Sequence, residues 1–124
     1  MDIQFTDRET DVMQVLWSRG PSLVAEVRDS LTDNLAYTTV LTILRTLEAK
    51  GYVGHDEAGR GHRYFATVEQ QTAQKSALQR ITSKLFGGSA ELLMMRLVSD
   101  RNLSREQLRR LRKLLDDHAD LGEP

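Results

Sequence analysis

The sequence predicts a mainly α-helical chain with one small β-hairpin: an N-terminal winged helix-turn-helix over residues 1–68 and a C-terminal three-helix dimerisation domain over residues 69–124. Three observations predict it. Three segments with apolar residues at helical spacing, ending near Lys50, lead into two short strand-like runs about a glycine-rich turn. After Val68 the strand signals stop and long polar helices begin. Those later helices carry apolar residues on more than one side, within about fifty residues that seldom bury enough surface to stand alone. Packing against a second copy in a two-fold dimer solves this; a monomer with these helices folded back on the N-terminal unit is the rival.

Thr6-Asp7-Arg8-Glu9 reads as a capping box, with Thr at the N-cap and Glu three residues on. It opens a helix that turns Val12, Val15 and Leu16 inward and runs to about Ser18, with Trp17 as a core anchor. Arg19-Gly20-Pro21-Ser22 breaks it. Ser22 is the expected cap of a second helix, which carries Val24, Val27 and Leu31. After a turn at Thr32–Asn34, a third helix spans Tyr37–Lys50 with Val40, Ile43, Leu44 and Leu47 as its buried stripe. Gly51 suits the left-handed residue that ends a helix. Tyr52–His55 and His62–Ala66 read as strands, with Glu57–Gly61 as their turn. A polar helix follows over Glu69–Phe86, stopped by Gly87-Gly88, and Ser89 caps a shorter one. A turn at Asp100–Asn102 precedes a second capping box, Ser104–Gln107, and a last helix that frays from about Ala119. The expected dimer contacts are Leu78, Ile81, Leu85, Phe86, Leu92, Leu93, Leu97, Leu108, Leu111 and Leu115.

Bulk properties narrow the function classes. With 40% hydrophobic and 28% charged residues, the chain reads as globular rather than disordered. The absence of cysteine excludes disulfides, a thiol nucleophile and any Cys-based metal site. No apolar run approaches the roughly 18 residues needed to span a bilayer. The acidic start MDIQFTDRE lacks a signal-peptide pattern, so the cytoplasm is the expected compartment. Ser, His and Asp are scattered without a catalytic motif. Gly87-Gly88-Ser89 lacks the strand and lysine of a P-loop. The expectation is a non-enzyme without cofactor.

The chemistry lies between Ala36 and Tyr64. The outer face of the third helix holds Thr38, Thr39, Thr42, Arg45, Thr46 and Glu48. Exposed helix faces favour better helix formers, and each Thr costs about a few tenths of a kcal/mol there. The major groove of B-DNA admits one helix, and short side chains let its backbone approach closely. Groove contact is therefore a reason for the threonines, with an ordinary solvent-exposed face as the plain alternative. Arg60, between two glycines at the hairpin tip, is placed to lie over phosphates or enter a minor groove, or is an ordinary turn residue. Arg63 reads equally as a DNA contact or a surface ion pair. His55 and His62, facing across the hairpin with Asp56 nearby, suggest weak zinc binding, but a structural site wants four ligands, so no metal is expected. The chain is acidic before residue 34 and carries a net charge of −1, which implies a narrow footprint and modest non-specific affinity.

These residues also carry a resemblance. Thr6-x-x-Glu9, Val12-Met13-x-x-Leu16-Trp17 and Gly20-Pro21 lead to Tyr37-Thr38-Thr39-Val40-x-Thr42-x-Leu44-x-x-Leu47-x-x-Lys50-Gly51-Tyr52-Val53. Gly59-Arg60, Leu85-Phe86-Gly87-Gly88-Ser89 and Leu108-x-x-Leu111 follow in order. Over nearly its whole length the chain resembles the BlaI/MecI-type repressors, the penicillinase and methicillin-resistance repressor family. The resemblance implies a homodimer of winged helices that binds a dyad-symmetric operator and represses nearby genes. It makes Thr38, Thr39, Thr42 and Arg45 major-groove candidates, Arg60 the wing contact, and Tyr37 the start of the recognition helix. Two features depart from the family. The staphylococcal-type members are cleaved at an Asn-Phe bond, where this chain has Arg96-Leu97. The copper-responsive branch uses Cys-x-Cys pairs, which this chain lacks.

The leading expectation is thus a dimeric repressor bound to a palindromic duplex, with DNA contacts at Tyr37, Thr38, Thr39, Thr42, Arg45, Thr46, Lys50, Arg60 and Arg63. The alternatives are a winged-helix dimer that serves as a protein-interaction module without DNA, and a metal-responsive repressor using His55 and His62. The inducing signal, and any inactivating protease or receptor, are left open.

Overall fold

The computed structural model describes residues 2–100 and 103–121. In chain order the elements are α1 (Asp7–Arg19), β1 (Ser22–Leu23), α2 (Val24–Ser30), α3 (Tyr37–Ala49), β2 (Val53–Ala58), β3 (Gly61–Ala66), α4 (Gln70–Leu85), α5 (Ala90–Ser99) and α6 (Arg105–Leu121). The chain forms two compact units, residues 1–79 and 80–124. The expected boundary at Val68 precedes α4, whereas the units divide inside that helix. The first part of α4 is held to the N-terminal unit, since the Ile3 N–H donates to Ser76 Oγ at 2.9 Å and Ala73 is buried.

The capping box of α1 is complete. Glu9 N–H donates to Thr6 Oγ1 at 3.1 Å, and Thr6 N–H donates to Glu9 Oε1 at 2.8 Å. Trp17 anchors the far end through Nε1–H to the Val68 carbonyl at 2.9 Å and an edge-on contact with Phe5. Ser22 does not cap α2. It is buried in β1, pairs with Tyr64 of β3, and donates its hydroxyl to the Gly20 carbonyl at 2.8 Å. A two-residue strand is too short to show alternation, which is why its sequence reads as part of a break. Leu23 stands at the N-cap instead, and its N–H is taken by the Glu26 carboxylate at 2.8 Å.

The sheet is antiparallel in the order β1-β3-β2. The hairpin is longer than expected: Glu57 pairs with His62 and Ala58 with Gly61, leaving Gly59 and Arg60 as the turn. Gly59, at φ 65, supplies the left-handed conformation that so tight a turn needs, and the ladder extends two residues further. Gly51 does the same after α3, at φ 87, where Tyr52 N–H reaches back to the Leu47 carbonyl at 3.0 Å. Between helices and sheet lies one core: Val12, Met13 and Leu16 of α1, Val24 and Val27 of α2, Val40, Leu44 and Leu47 of α3, with Val53 and Tyr64 from the sheet. Ile43 is only partly buried at its edge.

In the second unit Ser89 caps α5, accepting from Leu92 N–H at 3.0 Å, and the Ser104–Gln107 box forms both its bonds. Helix α6 continues through Leu121, past the expected fraying point, because its i→i+4 ladder is uninterrupted by Gly or Pro. Part of the expected turn at Asp100–Asn102 lies outside the described residues. Among the described residues of this unit none is buried.

Leu44 has no exposed surface at the centre of the core. Leu44→Ala is expected to lower unfolding stability by about 2–5 kcal/mol, read from the shift of the urea midpoint.

Candidate nucleic-acid interface

Helix α3 is two-faced because its apolar residues recur at three and four. Val40, Leu44 and Leu47 are wholly buried, while Thr38, Thr39, Thr42, Arg45 and Thr46 are exposed, and Tyr37 opens the helix at 45% exposure. The hydroxyl of Thr42 donates to the Thr38 carbonyl and that of Thr46 to the Thr42 carbonyl, each at 2.9 Å. Their protons are therefore used inside the helix, and what remains for a partner is oxygen lone pairs and methyl groups. At its start α3 has Ala36 as N-cap, no side-chain cap and no acid in the first turn. The positive end of its dipole and its first amides are left open, the arrangement that attracts a phosphate.

Where α3 meets the sheet, Arg45, Glu48, His55, His62 and Tyr64 gather. Burial pushes the Tyr64 phenol above its ordinary value and Glu48 adds to this, while the positive charge of Arg45 pulls the other way. Glu48 Oε2 lies 2.6 Å from His55 Nδ1. His55 and His62 are not direct cross-strand partners; the register pairs them with Tyr64 and Glu57. They lie on the same sheet face one pair apart, and their rings stack at 4.4 Å with an 11° tilt. Stacked rings hold their nitrogens in parallel planes rather than aiming them at one point. Among the described residues no group of three or more His, Asp or Glu could hold a metal.

Two of the expected DNA contacts have charged neighbours that spacing does not show. The Lys50 ammonium sits 2.8 and 3.0 Å from the carboxylate oxygens of Glu9, a residue only 4% exposed. It is a partner to a buried acid, not a free cation on the surface. Arg63 opposes Asp56 across the hairpin, and alternation puts it on the sheet face away from Tyr64. It also helps to lower the Glu26 carboxyl, which is held down first by the Leu23 amide and then, against burial, by Arg19 at 2.6 Å. Arg63 thus lies within electrostatic reach of Glu26. Arg60 stands exposed at the hairpin tip. Sequence reasoning missed Glu9 and Glu48 as partners, though a capping-box acid on one helix and a base just after another is a signal for the first.

Residues 5–117 match the family model described as Penicillinase repressor. The chain belongs to the penicillinase repressor family. It is 23% identical over 117 residues to the penicillinase repressor of Bacillus licheniformis, covering 93% of this chain and 91% of that one. A stretch of 61 residues is 44% identical to the transcriptional regulator BlaI of Mycobacterium tuberculosis, covering 47% of this chain and 44% of the regulator. Among solved structures, Streptococcus pneumoniae FabT in complex with DNA is similar with a TM-score of 0.51 at 19% identity, over 95% of this chain and 76% of that one. That last likeness is one of fold.

Burial by itself would raise the Glu9 carboxyl, but the Lys50 ammonium and the Thr6 amide and hydroxyl hold it below 4.5, its ordinary value. A carboxyl lowered by folding stabilises the fold fully above its unfolded value, and that contribution is lost as the pH falls through the folded value. The gap in urea midpoint between the native chain and Glu9→Gln is expected to be widest near neutral pH, and to close progressively once the pH drops below about 4.5. Urea titrations across that range check it.

Proposed function

We propose that this chain is a dimeric DNA-binding transcriptional repressor, two copies of which set α3 of each winged helix into the major groove of a dyad-symmetric operator and so block transcription. The observation that carries this reading is α3 itself: fixed by a wholly buried stripe, bare on its other side, and open at its N-terminus. Membership of the penicillinase repressor family supports it. Tyr37, Thr38 and Thr39 stand at the open end, where the amides meet phosphates. Thr42, Arg45 and Thr46 face base edges, Arg45 with its donor fork and the threonines with lone pairs and methyls. Arg60 at the wing tip takes phosphate or the minor groove. Genes of β-lactam resistance, the class that names its relatives, are the proposed targets, and the cytoplasm the proposed compartment. No described helix is long and apolar enough to cross a membrane.

The dimer is inferred from what α4 and the second unit leave uncovered. Leu78, Ile81, Leu85, Leu92, Leu97, Leu108 and Leu115 are exposed in the single chain, and Phe86, Leu93 and Leu111 are half-buried. Met94, Met95, Val98 and Leu114, outside the expected dimer contacts, are exposed too. Met94, Met95, Val98 and Leu115 line an open apolar groove of about 570 Å³. A unit with no buried residue among those described has too little core of its own, and a second copy would cover these faces.

Two experiments test the proposal. Duplexes selected from a randomised pool should bind tightly at low salt and lose affinity steeply as salt rises, through counterion release. On such a duplex Arg45→Ala should cost about 1–3 kcal/mol in a band-shift titration. A chain with no duplex affinity at low salt would instead be a protein-interaction module. For assembly, Leu85 is 77% exposed, so Leu85→Asp removes little from the single chain. It is expected to shift sedimentation from dimer towards monomer while the helical circular dichroism persists.

A further inference from the structure

One buried titratable group has no part in the contacts proposed above. Glu9 lies in the first turn of α1, yet its carboxylate accepts at once from the Thr6 amide at 2.8 Å and from Lys50 Nζ at 2.8 and 3.0 Å. Lys50 is the C-cap of α3. The same few residues hold the root of the wing: Gly51 at φ 87 reverses the chain, Thr67 Oγ1–H donates to the Gly51 carbonyl at 2.8 Å, and Thr67 N–H to the Tyr52 carbonyl at 2.9 Å. The pair therefore joins the capped start of α1 to the point where α3 passes into the hairpin.

Apart from the Glu48–His55 contact with β2, the rest of α3 is held by aliphatic packing through Val40, Leu44 and Leu47. Such packing is non-directional and tolerates small shifts and rotations. A hydrogen-bonded ion pair with one buried partner does not, since displacement leaves a desolvated carboxylate short of a donor. We propose that Glu9 is a positioning residue: through Lys50 it fixes the rotation and axial setting of α3, and with them the direction in which Thr42 and Arg45 face. Lys50 acts on the helix it caps and makes no phosphate contact. This inference rests on the DNA-binding reading given above.

The two roles open to Lys50 predict opposite signs. A lysine that binds phosphate would be released by Glu9→Gln, and duplex affinity would rise. A lysine that positions α3 loses its anchor, and affinity for a selected duplex falls. Native chain, Glu9→Gln, Lys50→Met, the double variant and Lys50→Arg would be compared by fluorescence anisotropy on a selected duplex and on a scrambled one. The temperature is one at which circular dichroism shows all five folded. Glu9→Gln and Lys50→Met should each weaken the selected duplex roughly tenfold, on the scale of one misaligned base contact. The scrambled duplex should change less than about twofold, and the slope of affinity against salt should stay unchanged. The double variant should be no worse than either single one, and Lys50→Arg should bind as the native chain does. Stronger binding by Glu9→Gln, a salt slope smaller by about one for Lys50→Met, or equal losses on both duplexes would overturn the proposal. Amide NMR shifts of the free protein supply a readout without DNA. Glu9→Gln should move the resonances of residues 38–49 and Lys50→Arg should not. If they stay in place the positioning role is wrong, whatever the duplex results; if they move and no duplex is bound, only the DNA reading fails.

Discussion

Burial of Val40, Leu44 and Leu47 against α1, α2 and the sheet is what keeps α3 in place. Each of the three has no exposed surface, and with Tyr64 they tie the helix to β3. Full burial of an aliphatic side chain contributes about 1.5–3 kcal/mol, so the inner side of α3 dominates its energetics and the outer side is free of any packing duty. That freedom is what allows threonines, poor helix formers, to occupy it. Thr42 and Thr46 recover part of the propensity loss by bonding back to the carbonyls of their own helix. Packing on one side and chemistry on the other are thus consequences of one apolar period.

The second unit obeys the opposite rule. Its helices have good caps at Ser89 and Ser104 and a strongly amphipathic α6, yet among its described residues nothing is buried. Local signals are enough to make helices but not to give them a core, because capping contributes only about 1 kcal/mol for each end. The leucines along α4 and α6 need a surface the single chain does not provide. In the proposed dimer a two-fold partner would supply it with the same sequence, and a dyad in the protein is what a palindromic duplex would match.

Much of this was legible in the sequence, and what was not has a common cause. The three N-terminal helices, the α3 stripe, the Gly51 stop and the caps at Thr6, Ser89 and Ser104 are local or periodic features, and each reads directly. What failed to read depends on residues distant along the chain. Ser22 looks like a helix cap until Tyr64, forty-two residues later, is seen to pair with it. Lys50 looks like a surface base until Glu9 is found beneath it. Arg63 looks like a groove contact until the register sets it against Asp56 and the field of Glu26. In the candidate site the threonines and Arg45 stand where their spacing predicts, because one helix carries them all. The neighbours of the charged residues around them could not be read, because a charge takes its meaning from a neighbour in space.

The same distinction answers the objection raised by a net charge of −1. Electrostatic attraction at physiological salt is felt over about 8 Å, so the total counts for less than the charges near α3. Several acids near that helix are paired with bases: Glu9 with Lys50, Glu26 with Arg19, and Asp33, just before the helix, with Arg8 at 2.7 Å. Among the described residues Glu48 is the one carboxylate of α3 and it is hydrogen-bonded to His55, while the other charges there are Arg45, the open amide end beginning at Tyr37, and Arg60 on the wing. On the proposed function, a surface so arranged would attract a phosphate backbone only weakly at a distance and would gain most of its affinity after contact, from fit in the groove. That is the condition under which the setting of α3, held by Glu9 and Lys50, matters more to recognition than the number of bases the chain contains.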